Sequence, residues 1–374
     1  MAGHSIPIDF RVEPCILADE SSRSALFKKL VPLVELYSGP LTLLSDVPVS
    51  KESRHMLYSS GEKGFTFSIT VFGNGLVNCS LIYYTQDVNK QLIAVDESIR
   101  LEKRIVEKCG ALRAKVLPAI KRLPEINPYY ISSDDRLLEY DVDKVVFSEE
   151  TPFQKVEIVH SKSYGNILIL DNLQNLAESD LSYTHGLMNK GVDSYAGKTV
   201  LILGGGDGAL MHELLKEDPE HVLMIDIDEA VMRSCKKHLR KACGSTLDSF
   251  KGPNYETIVG DALVYLHDFI KSGRQFDYVF ADLTDVPISP EPVGDMWDFL
   301  GMIMDLGTKV LKPATGRYMT HAIGVQCSKA LVMFEQQLKK VEVGVTNVTQ
   351  TSHFVPSFME KWCFFQATRK PISK

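Results

Sequence analysis

Three observations predict an α/β protein built on a doubly wound parallel sheet. From residue 198 onwards, apolar runs of strand length alternate with helical patterns, as in a parallel sheet covered on both faces. The first of these strands runs into the glycine-rich turn Gly204–Gly208, and a helical pattern follows at once. An aspartate also stands at or just after the carboxyl end of each of the first four strands. Ligands of such sheets bind beyond the carboxyl ends of the strands, so the functional site is expected there.

The composition predicts a protein large enough for two domains. The chain has 374 residues, 44% of them hydrophobic, which is enough apolar material for two separate cores. The net charge of −7, without a run of Lys or Arg, argues against a nucleic-acid partner and suits a cationic ligand. We expect neither a signal peptide nor a membrane span, because long apolar runs are missing from the sequence.

Cysteine and histidine usage points to a reducing compartment and to a site without metal. None of the seven cysteines forms a CxxC pair, and their number is odd, which argues against a disulfide framework. The ten histidines are scattered, without the close spacing of zinc ligands. A cytoplasmic protein that needs no metal ion is therefore expected.

Residues 1–115 are predicted to form an N-terminal α+β domain. Apolar periodicity there predicts two helices, two strands and an Asn-Gly hairpin turn, which are Leu26–Tyr37, Glu97–Leu112, Phe65–Val71, Leu76–Tyr84 and Phe72–Gly75. The segment carries no recognisable catalytic pattern. It is therefore interpreted as a structural or dimerisation module.

Residues 116–175 are predicted to be a linker followed by a small antiparallel β region. Three prolines and little periodicity between Lys115 and Ser132 are typical of a linker. Alternating apolar residues then predict strands within Leu137–Phe147 and Phe153–Leu170, with a turn at Tyr164–Asn166. This region leads into the larger domain.

Residues 176–374 are predicted to be a Rossmann-like catalytic domain. The expected strands are Thr199–Leu203, Val222–Asp226, Tyr255–Val259, Tyr278–Ala281 and Arg317–Thr320. The expected helices are Ala209–Lys216, Glu229–Arg240, Ala262–Lys271, Trp297–Val310 and Ser328–Lys340. Val343–Val348 and Lys361–Ala367 are expected to add a terminal hairpin.

The four strand-end acids are the candidate functional residues, and they are Asp207, Asp226, Asp261 and Asp282. Asp226 lies about 20 residues beyond the glycine-rich turn, where an acid accepts hydrogen bonds from a ribose. Asp207 lies inside the turn itself and would repel a pyrophosphate. The turn therefore favours a ligand that carries a positive group over a dinucleotide.

These motifs resemble those of the aminopropyltransferases, the polyamine synthases. The motifs that carry the resemblance are Leu203–Gly208, Asp226–Asp228, Gly260–Ala262 and Asp282–Thr284. Within that family the closest likeness is to the spermine-forming members, through Pro152–Gln154, His160–Lys162, Gly165–Leu170, Asn175–Leu181, Val286–Ser289 and Val355–Ser357 before Glu360. The resemblance implies the methyltransferase-type Rossmann fold over residues 115–374. In residues 1–115 it is one of layout, and it implies a dimerisation domain and a homodimer.

The resemblance also implies a chemistry. The donor would be decarboxylated S-adenosylmethionine, a co-substrate, and its aminopropyl group would pass to spermidine to give spermine and methylthioadenosine. Asp282 would be the general base, and no metal or cofactor would be needed. The donor would be bound by Gln154, Asp207, Asp226, Asp261 and Ala262. The acceptor polyamine would be bound by Tyr183, Asp207, Asp285, Phe358 and Glu360.

Three positions depart from the family pattern and bear on the acceptor. Asp226 stands where Glu is more frequent, and Phe358 stands where spermine-forming members have Tyr. Asp285 gives the Asp-x-x-Asp arrangement of spermidine-forming members. Putrescine, or the other end of spermidine, therefore stays open as acceptor. An adenosylmethionine-dependent methyltransferase and a polyamine-binding scaffold are the alternatives of other classes, and the retained acids favour amine transfer over both.

Overall fold

The computed structural model describes residues 2–61, 64–86, 91–283, 286–289 and 291–372. The chain divides into two compact units, Met1–Asn127 and Pro128–Lys374. None of the helices in these ranges is long and apolar enough to cross a membrane.

The first unit is an antiparallel sheet with helices packed against it. Its strands are β1 (Ala2–Arg11), β2 (Thr42–Pro48), β3 (Ser53–Ser59), β4 (Thr66–Phe72), β5 (Leu76–Thr85), β6 (Arg113–Val116) and β7 (Ile120–Arg122). Its helices are α1 (Cys15–Ala18), α2 (Glu20–Ser38) and α3 (Val95–Cys109). The strand order is β2-β3-β4-β5-β1-β6, and β7 also pairs with β1. Leu30, Leu101 and Ile105 of the helices are fully buried in the core.

The boundary between the units lies further along the chain than the sequence suggested. The sequence predicts that the N-terminal domain ends at residue 115 and that a linker follows it. Instead β6 and β7 pair with β1, so the first unit continues to Asn127. These strands have four and three residues, too few to show an alternating apolar pattern of their own. The dimerisation role of this unit stays a prediction.

The second unit begins with two small antiparallel sheets. The hairpin of β8 (Tyr129–Ile131) and β9 (Leu137–Glu139) occupies part of the predicted linker. A four-stranded sheet in the order β10-β11-β12-β13 follows, with strands β10 (Val142–Glu150), β11 (Lys155–Ser161), β12 (Gly165–Leu170) and β13 (Leu173–Ala177). The antiparallel region is thus observed where it was expected. The helix α4 (Leu181–Leu187) then leads to the large sheet.

The large sheet has the predicted doubly wound architecture. Its strands are β14 (Thr199–Gly204), β15 (His221–Asp226), β16 (Tyr255–Val259), β17 (Tyr278–Asp282), β18 (Arg317–Gly324), β19 (Val345–Val355) and β20 (Glu360–Arg369). Its helices are α5 (Ala209–Leu215), α6 (Glu229–His238), α7 (Arg240–Cys243), α8 (Ala262–Ser272), α9 (Asp295–Lys309) and α10 (Ser328–Leu338). The strand order is β16-β15-β14-β17-β18-β20-β19, and only the two pairings of β20 within this path are antiparallel. The predicted methyltransferase-like fold class is confirmed.

The topology of this sheet determines where a ligand can bind. Val200–Leu203 of β14 are completely buried, as expected of a central parallel strand covered on both faces. The chain order reverses between β14 and β17, which pair in parallel at the centre of the sheet. This reversal opens a crevice at the carboxyl ends of the strands, which is where ligands of such sheets bind.

Candidate active site

The glycine-rich turn brings backbone from two strands into contact at the chain reversal. Gly204 and Gly205 have φ angles of 82° and 72°, which residues with a side chain rarely adopt. A Cβ atom on Gly204 would lie 2.1 Å from the carbonyl oxygen of Asp282. The Gly205 N–H donates a hydrogen bond of 3.0 Å to that same oxygen. Glycine is therefore required here so that β14 and β17 can approach closely at the site.

Asp226 is locked at the end of β15 by two backbone hydrogen bonds. One carboxylate oxygen accepts from the Gly206 N–H at 2.8 Å, and the other accepts from the Asp228 N–H at 2.9 Å. Burial raises the pKa of Asp226 to about 6, although both hydrogen bonds act in the opposite direction. The carboxylate keeps free lone pairs, so it can accept further bonds from neighbouring hydroxyl groups.

Asp207 and Asp282 form a pair of mutually repelling acids. One oxygen of Asp207 accepts the Ala209 N–H at 2.7 Å at the start of α5. Burial, followed by the charge of Asp282, raises the pKa of Asp207 above its ordinary range. Burial likewise raises the pKa of Asp282. Two such buried carboxylates are costly side by side, and they favour a ligand that brings positive charge.

Asp282 is oriented by a phenol from outside the large sheet. The Tyr183 hydroxyl of α4 donates a hydrogen bond of 2.8 Å to one oxygen of Asp282. This bond stabilises the ionised carboxylate and lowers the pKa of Asp282, in opposition to burial. The result is a positioned carboxylate whose basicity exceeds that of a solvated aspartate. Such a group is suited to accept a proton from an amine.

Gln154 reaches the site through Asp228. The Gln154 side-chain amide donates to one oxygen of Asp228 at 3.1 Å, and the Thr151 hydroxyl donates to that oxygen at 2.9 Å. The other oxygen of Asp228 caps α6 by accepting the Ala230 N–H at 3.0 Å. Gln154 thus comes close to the Asp226 loop. Asp228 had no predicted role, although an aspartate just before a predicted helix indicates an N-cap.

Asp261 and Ala262 start α8 beside the end of β15. Asp261 is exposed, and its side chain accepts the Leu263 N–H at 2.8 Å as the helix cap. The neighbouring Gly260 N–H donates to the Asp226 carbonyl at 2.9 Å. This bond ties the start of α8 to the Asp226 loop, so the predicted donor residues of three successive strand ends lie together.

The other end of the site is formed by β18, β20 and the turn of the β8–β9 hairpin; we call it the hairpin end. Phe358 is buried, with its ring centroid 5.9 Å from that of Tyr183 and 4.8 Å from that of Trp362. Glu360 is also buried, and its carboxylate accepts hydrogen bonds from Ser133. The predicted acceptor residues Tyr183, Phe358 and Glu360 are therefore brought to one region.

The register of the sheet separates Glu360 from Asp282. Ala281 of β17 lies opposite Thr320 of β18 in a parallel pair, so Asp282 is level with the next residue of β18. Glu360 lies against Gly324 at the end of β18. A Cβ atom on Gly324 would be only 2.5 Å from the Glu360 carboxylate oxygen. At about 3.3 Å per strand residue, Gly324 lies up to about 10 Å beyond the level of Asp282.

Two predicted positions cannot be placed. Asp285, the proposed second acid for a short diamine, and Thr284 of the same motif lie outside the described residues. The preceding Asp282 is described and occupies the site, as set out above.

Sequence reasoning missed the contacts that assemble the hairpin end. The buried Asp180 accepts the Ser357 N–H at 2.9 Å, and the Ser357 hydroxyl also donates to it. The Tyr140 hydroxyl donates to the Ser357 carbonyl at 2.6 Å. These partners are separated by 177 and 217 residues. Sequence spacing carries no signal for contacts of such separation.

Comparison with known families agrees with this geometry. The Spermine/spermidine synthase domain matches residues 180–373, and the Spermidine synthase tetramerisation domain matches residues 128–178. The chain belongs to the spermine/spermidine synthase family. The first of these matches alone covers more than half of the chain, and it contains the strand-end acids. The chain is therefore an enzyme of the polyamine aminopropyltransferase family.

Individual relatives support the same assignment. The chain is 30% identical over 240 residues to a polyamine aminopropyltransferase of Aeropyrum pernix, covering 63% of this chain and 72% of the relative. It is 30% identical over 226 residues to one of Pyrobaculum arsenaticum, covering 58% and 73% of the two chains.

Solved structures support the fold. A spermidine synthase from Thermotoga maritima superimposes with a TM-score of 0.53 at 19% identity, covering 67% of this chain and 81% of the other. A spermidine synthase in complex with the transition-state analogue AdoDATO gives 0.55 at 20% identity, covering 67% and 82%. At such identities these likenesses concern the fold alone.

Proposed function

We propose that this enzyme transfers the aminopropyl group of decarboxylated S-adenosylmethionine to spermidine, giving spermine and methylthioadenosine. In the reaction, the amine nitrogen attacks the aminopropyl carbon next to the sulfonium. The new N–C bond forms as the C–S bond breaks, and the bonding electron pair moves to sulfur, which becomes a neutral thioether. The proton released by the amine passes to Asp282.

Asp282 is proposed as the base because an ammonium group cannot attack until it loses a proton. Burial raises the pKa of Asp282, so its carboxylate binds the proton more tightly than a solvated aspartate would. Its bond from Tyr183 fixes the direction in which the other oxygen points. Orientation of the amine in line with the C–S bond then supplies much of the rate acceleration.

The residues at the glycine-rich turn are proposed to bind the donor. Asp226 and Gln154 would hold the ribose, and Asp261 and Ala262 would contact the adenine. Asp207 would hold the amine of the donor and lie near the attacking nitrogen. A carboxylate at this position also repels the carboxylate of S-adenosylmethionine itself, which favours the decarboxylated donor.

The observation that supports a long acceptor is the separation between Asp282 and Glu360. Tyr183 and Phe358 line the region between them, and Glu360 would bind an ammonium group at the far end. In an extended chain, bonds of about 1.5 Å advance roughly 1.25 Å each, so spermidine spans about 11 Å between its terminal nitrogens and putrescine about 6 Å. The offset of three residues along β18, up to about 10 Å, leaves room for the longer amine.

A second candidate is the transfer of the same group to putrescine. Asp285 supplies the acid spacing of spermidine-forming members. Under this alternative, Asp285 would bind the far ammonium of the short diamine, and Glu360 would have no contact with it.

The acceptor is tested by product analysis with the decarboxylated donor and each amine separately. We expect kcat/KM for spermidine to exceed that for putrescine, with spermine as the product. A higher kcat/KM for putrescine would overturn the proposed acceptor. Thermospermine as the product would show that the other end of spermidine reacts.

We also propose a homodimer formed through the first unit, Met1–Asn127. The resemblance in layout supports this state, whereas the description of the matched domain at residues 128–178 suggests tetramers. Sedimentation equilibrium of the full chain should give twice the mass of the chain. A mass of one or four chains would contradict the dimer.

We place the enzyme in the cytoplasm, because its seven cysteines are free thiols and five of them are buried. Free cysteines in this number are typical of proteins of a reducing compartment.

A further inference from the structure

Ser133 binds the carboxylate of Glu360 with both of its donors. Its backbone N–H donates to one oxygen at 3.1 Å, and its hydroxyl donates to the other at 2.7 Å. The Glu360 side chain is only 5% exposed, so these bonds are shielded from water. Each carboxylate oxygen still has lone-pair capacity for another donor. The contact therefore fixes the orientation of Glu360 without exhausting its acceptor capacity.

The turn that carries Ser133 is itself held in place. It joins β8 to β9 over residues 132–136, and the Ser132 hydroxyl accepts the Arg136 N–H at 3.0 Å and donates to Asp134 at 2.6 Å. The Cys327 thiol donates to the Ser133 carbonyl at 3.1 Å. The position of Ser133 is thus fixed both by its own turn and by the loop that follows β18.

Gly324 leaves just enough space for this contact. A Cβ atom on Gly324 would lie 2.2 Å from the Ser133 hydroxyl oxygen and 2.5 Å from a Glu360 oxygen. Any side chain at position 324 would therefore push the two residues apart. The contact depends on the absence of a side chain at the end of β18.

The charge of Glu360 is only weakly neutralised by Arg136. The guanidinium Nη2 lies 3.8 Å from the carboxylate, while Nε of the same group donates to Asp134 at 2.7 Å. Ser133 contributes hydrogen bonds but no charge. A shielded carboxylate with a distant cation favours a further positive group, such as a ligand ammonium.

We propose that Ser133 is a positioning residue that sets the affinity for the acceptor by holding Glu360 in the orientation that binds the far ammonium. This inference rests on the proposed function, in which Glu360 contacts the acceptor. Ser133 acts through Glu360 and does not touch the reacting atoms. The β8–β9 turn, far from the glycine-rich motif in sequence, thereby contributes to the selection of a long amine.

The first experiment compares Ser133→Ala with the matched control Ser163→Ala. Ser163 also donates to a carboxylate, that of Asp141 at 2.8 Å, but on an exposed surface. Loss of one hydrogen bond to a charged group should raise KM for spermidine about tenfold in Ser133→Ala. We expect kcat and the donor KM to stay within about twofold, because Asp282 and the donor residues keep their contacts. Ser163→Ala should resemble the wild type in all three parameters.

Two results of this comparison would overturn the inference. One is an unchanged KM for spermidine in Ser133→Ala. The other is a fall in kcat at unchanged KM, which would indicate a disturbed base and not a misplaced Glu360. Thermal unfolding of each variant separates these results from a loss of folded protein.

A double-mutant cycle tests whether Ser133 acts through Glu360. If it does, Ser133→Ala should change kcat/KM for spermidine less than about twofold when Glu360 is already alanine. An equal loss in both backgrounds would overturn the inference. Gly324→Ala provides a second perturbation of the same contact, and it should raise KM for spermidine at least as much as Ser133→Ala does.

The acceptor panel distinguishes failure of this inference from failure of the proposed function. If wild-type enzyme prefers putrescine, the proposed function fails, and the same cycle is still measured with spermidine as the poorer acceptor, because only the longer amine would reach Glu360. An effect of Ser133→Ala that vanishes in the Glu360→Ala background would then still support the positioning role. An effect that is absent, or equal in both backgrounds, would overturn it.

Discussion

The two ends of the candidate active site are built in different ways. At the glycine-rich end, neighbouring strand ends supply Asp207, Asp226 and Asp282, and most of their contacts are backbone hydrogen bonds. At the hairpin end, Glu360 is held by a side chain and an N–H that are 227 residues away in sequence. The first construction follows from the sheet topology alone, and the second requires a loop from outside the sheet.

This difference indicates how one scaffold can serve several acceptors. The glycine-rich end cannot change without disturbing β14 and β17, because Gly204 has no room for a side chain. The hairpin end depends on side-chain contacts of a turn, and such contacts change at low cost to the core. We therefore expect the glycine-rich end to determine the chemistry and the hairpin end to determine the acceptor.

The largest effect is expected at Asp282, which lies at the glycine-rich end and accepts a hydrogen bond from Tyr183. Asp282→Asn keeps the size of the side chain but removes the proposed base, so kcat should fall by about 10²- to 10⁴-fold. The measurement is the steady-state rate with saturating donor and spermidine. Donor affinity by calorimetry should change far less than kcat, because the Asp226 loop is intact. A nearly normal kcat would remove Asp282 from the role of base.

A smaller effect, confined to the donor, is expected at Gly206. A Cβ atom there would lie 2.6 Å from an oxygen of Asp226, so Gly206→Ala should break its hydrogen bond. Loss of this charge-assisted bond should weaken donor binding about 10- to 100-fold. Calorimetric titration with the decarboxylated donor measures the change.

The control for this substitution is Gly301→Ala in α9, where a Cβ atom would meet nothing within 4 Å. It should leave donor binding unchanged and slightly stabilise the helix. If Gly206→Ala weakened spermidine binding as strongly as donor binding, the two ends would not be separable, and the comparison would fail.

The smallest effect is a shift of the pH profile at Tyr183. Tyr183→Phe removes the hydrogen bond that lowers the pKa of Asp282, so this pKa should rise further. Because the base acts only when ionised, activity is lost as pH falls through its pKa. The acid limb of kcat/KM should therefore move to higher pH by about one unit. A pH series with spermidine measures this shift.

Tyr140→Phe provides the matched control for the pH profile. Its hydroxyl bonds to the Ser357 carbonyl at the hairpin end and not to Asp282. The acid limb should stay in place in this variant. A shift to lower pH in Tyr183→Phe would contradict the assignment of the limb to Asp282.

Sequence alone determined the fold class and the glycine-rich end. The alternation of strands and helices predicted the large sheet, and the positions of Asp207, Asp226 and Asp282 predicted which side chains would meet. These predictions succeed because the carboxyl ends of parallel strands share one edge, so local patterns fix a non-local arrangement. The helix cap at Asp228 could also be predicted from sequence, because aspartate is a preferred N-cap residue.

Only the tertiary structure decided the boundary at Asn127 and the hairpin end. The strands β6 and β7 join the first unit through their pairing with β1. The bonds from Ser133 to Glu360 and from Tyr140 to Ser357 join segments more than 200 residues apart. A turn residue such as Ser133 has no periodicity that marks its partner. Its contact with Glu360 exists because tertiary packing brings the β8–β9 turn against the start of β20. Local sequence patterns do not predict such a contact.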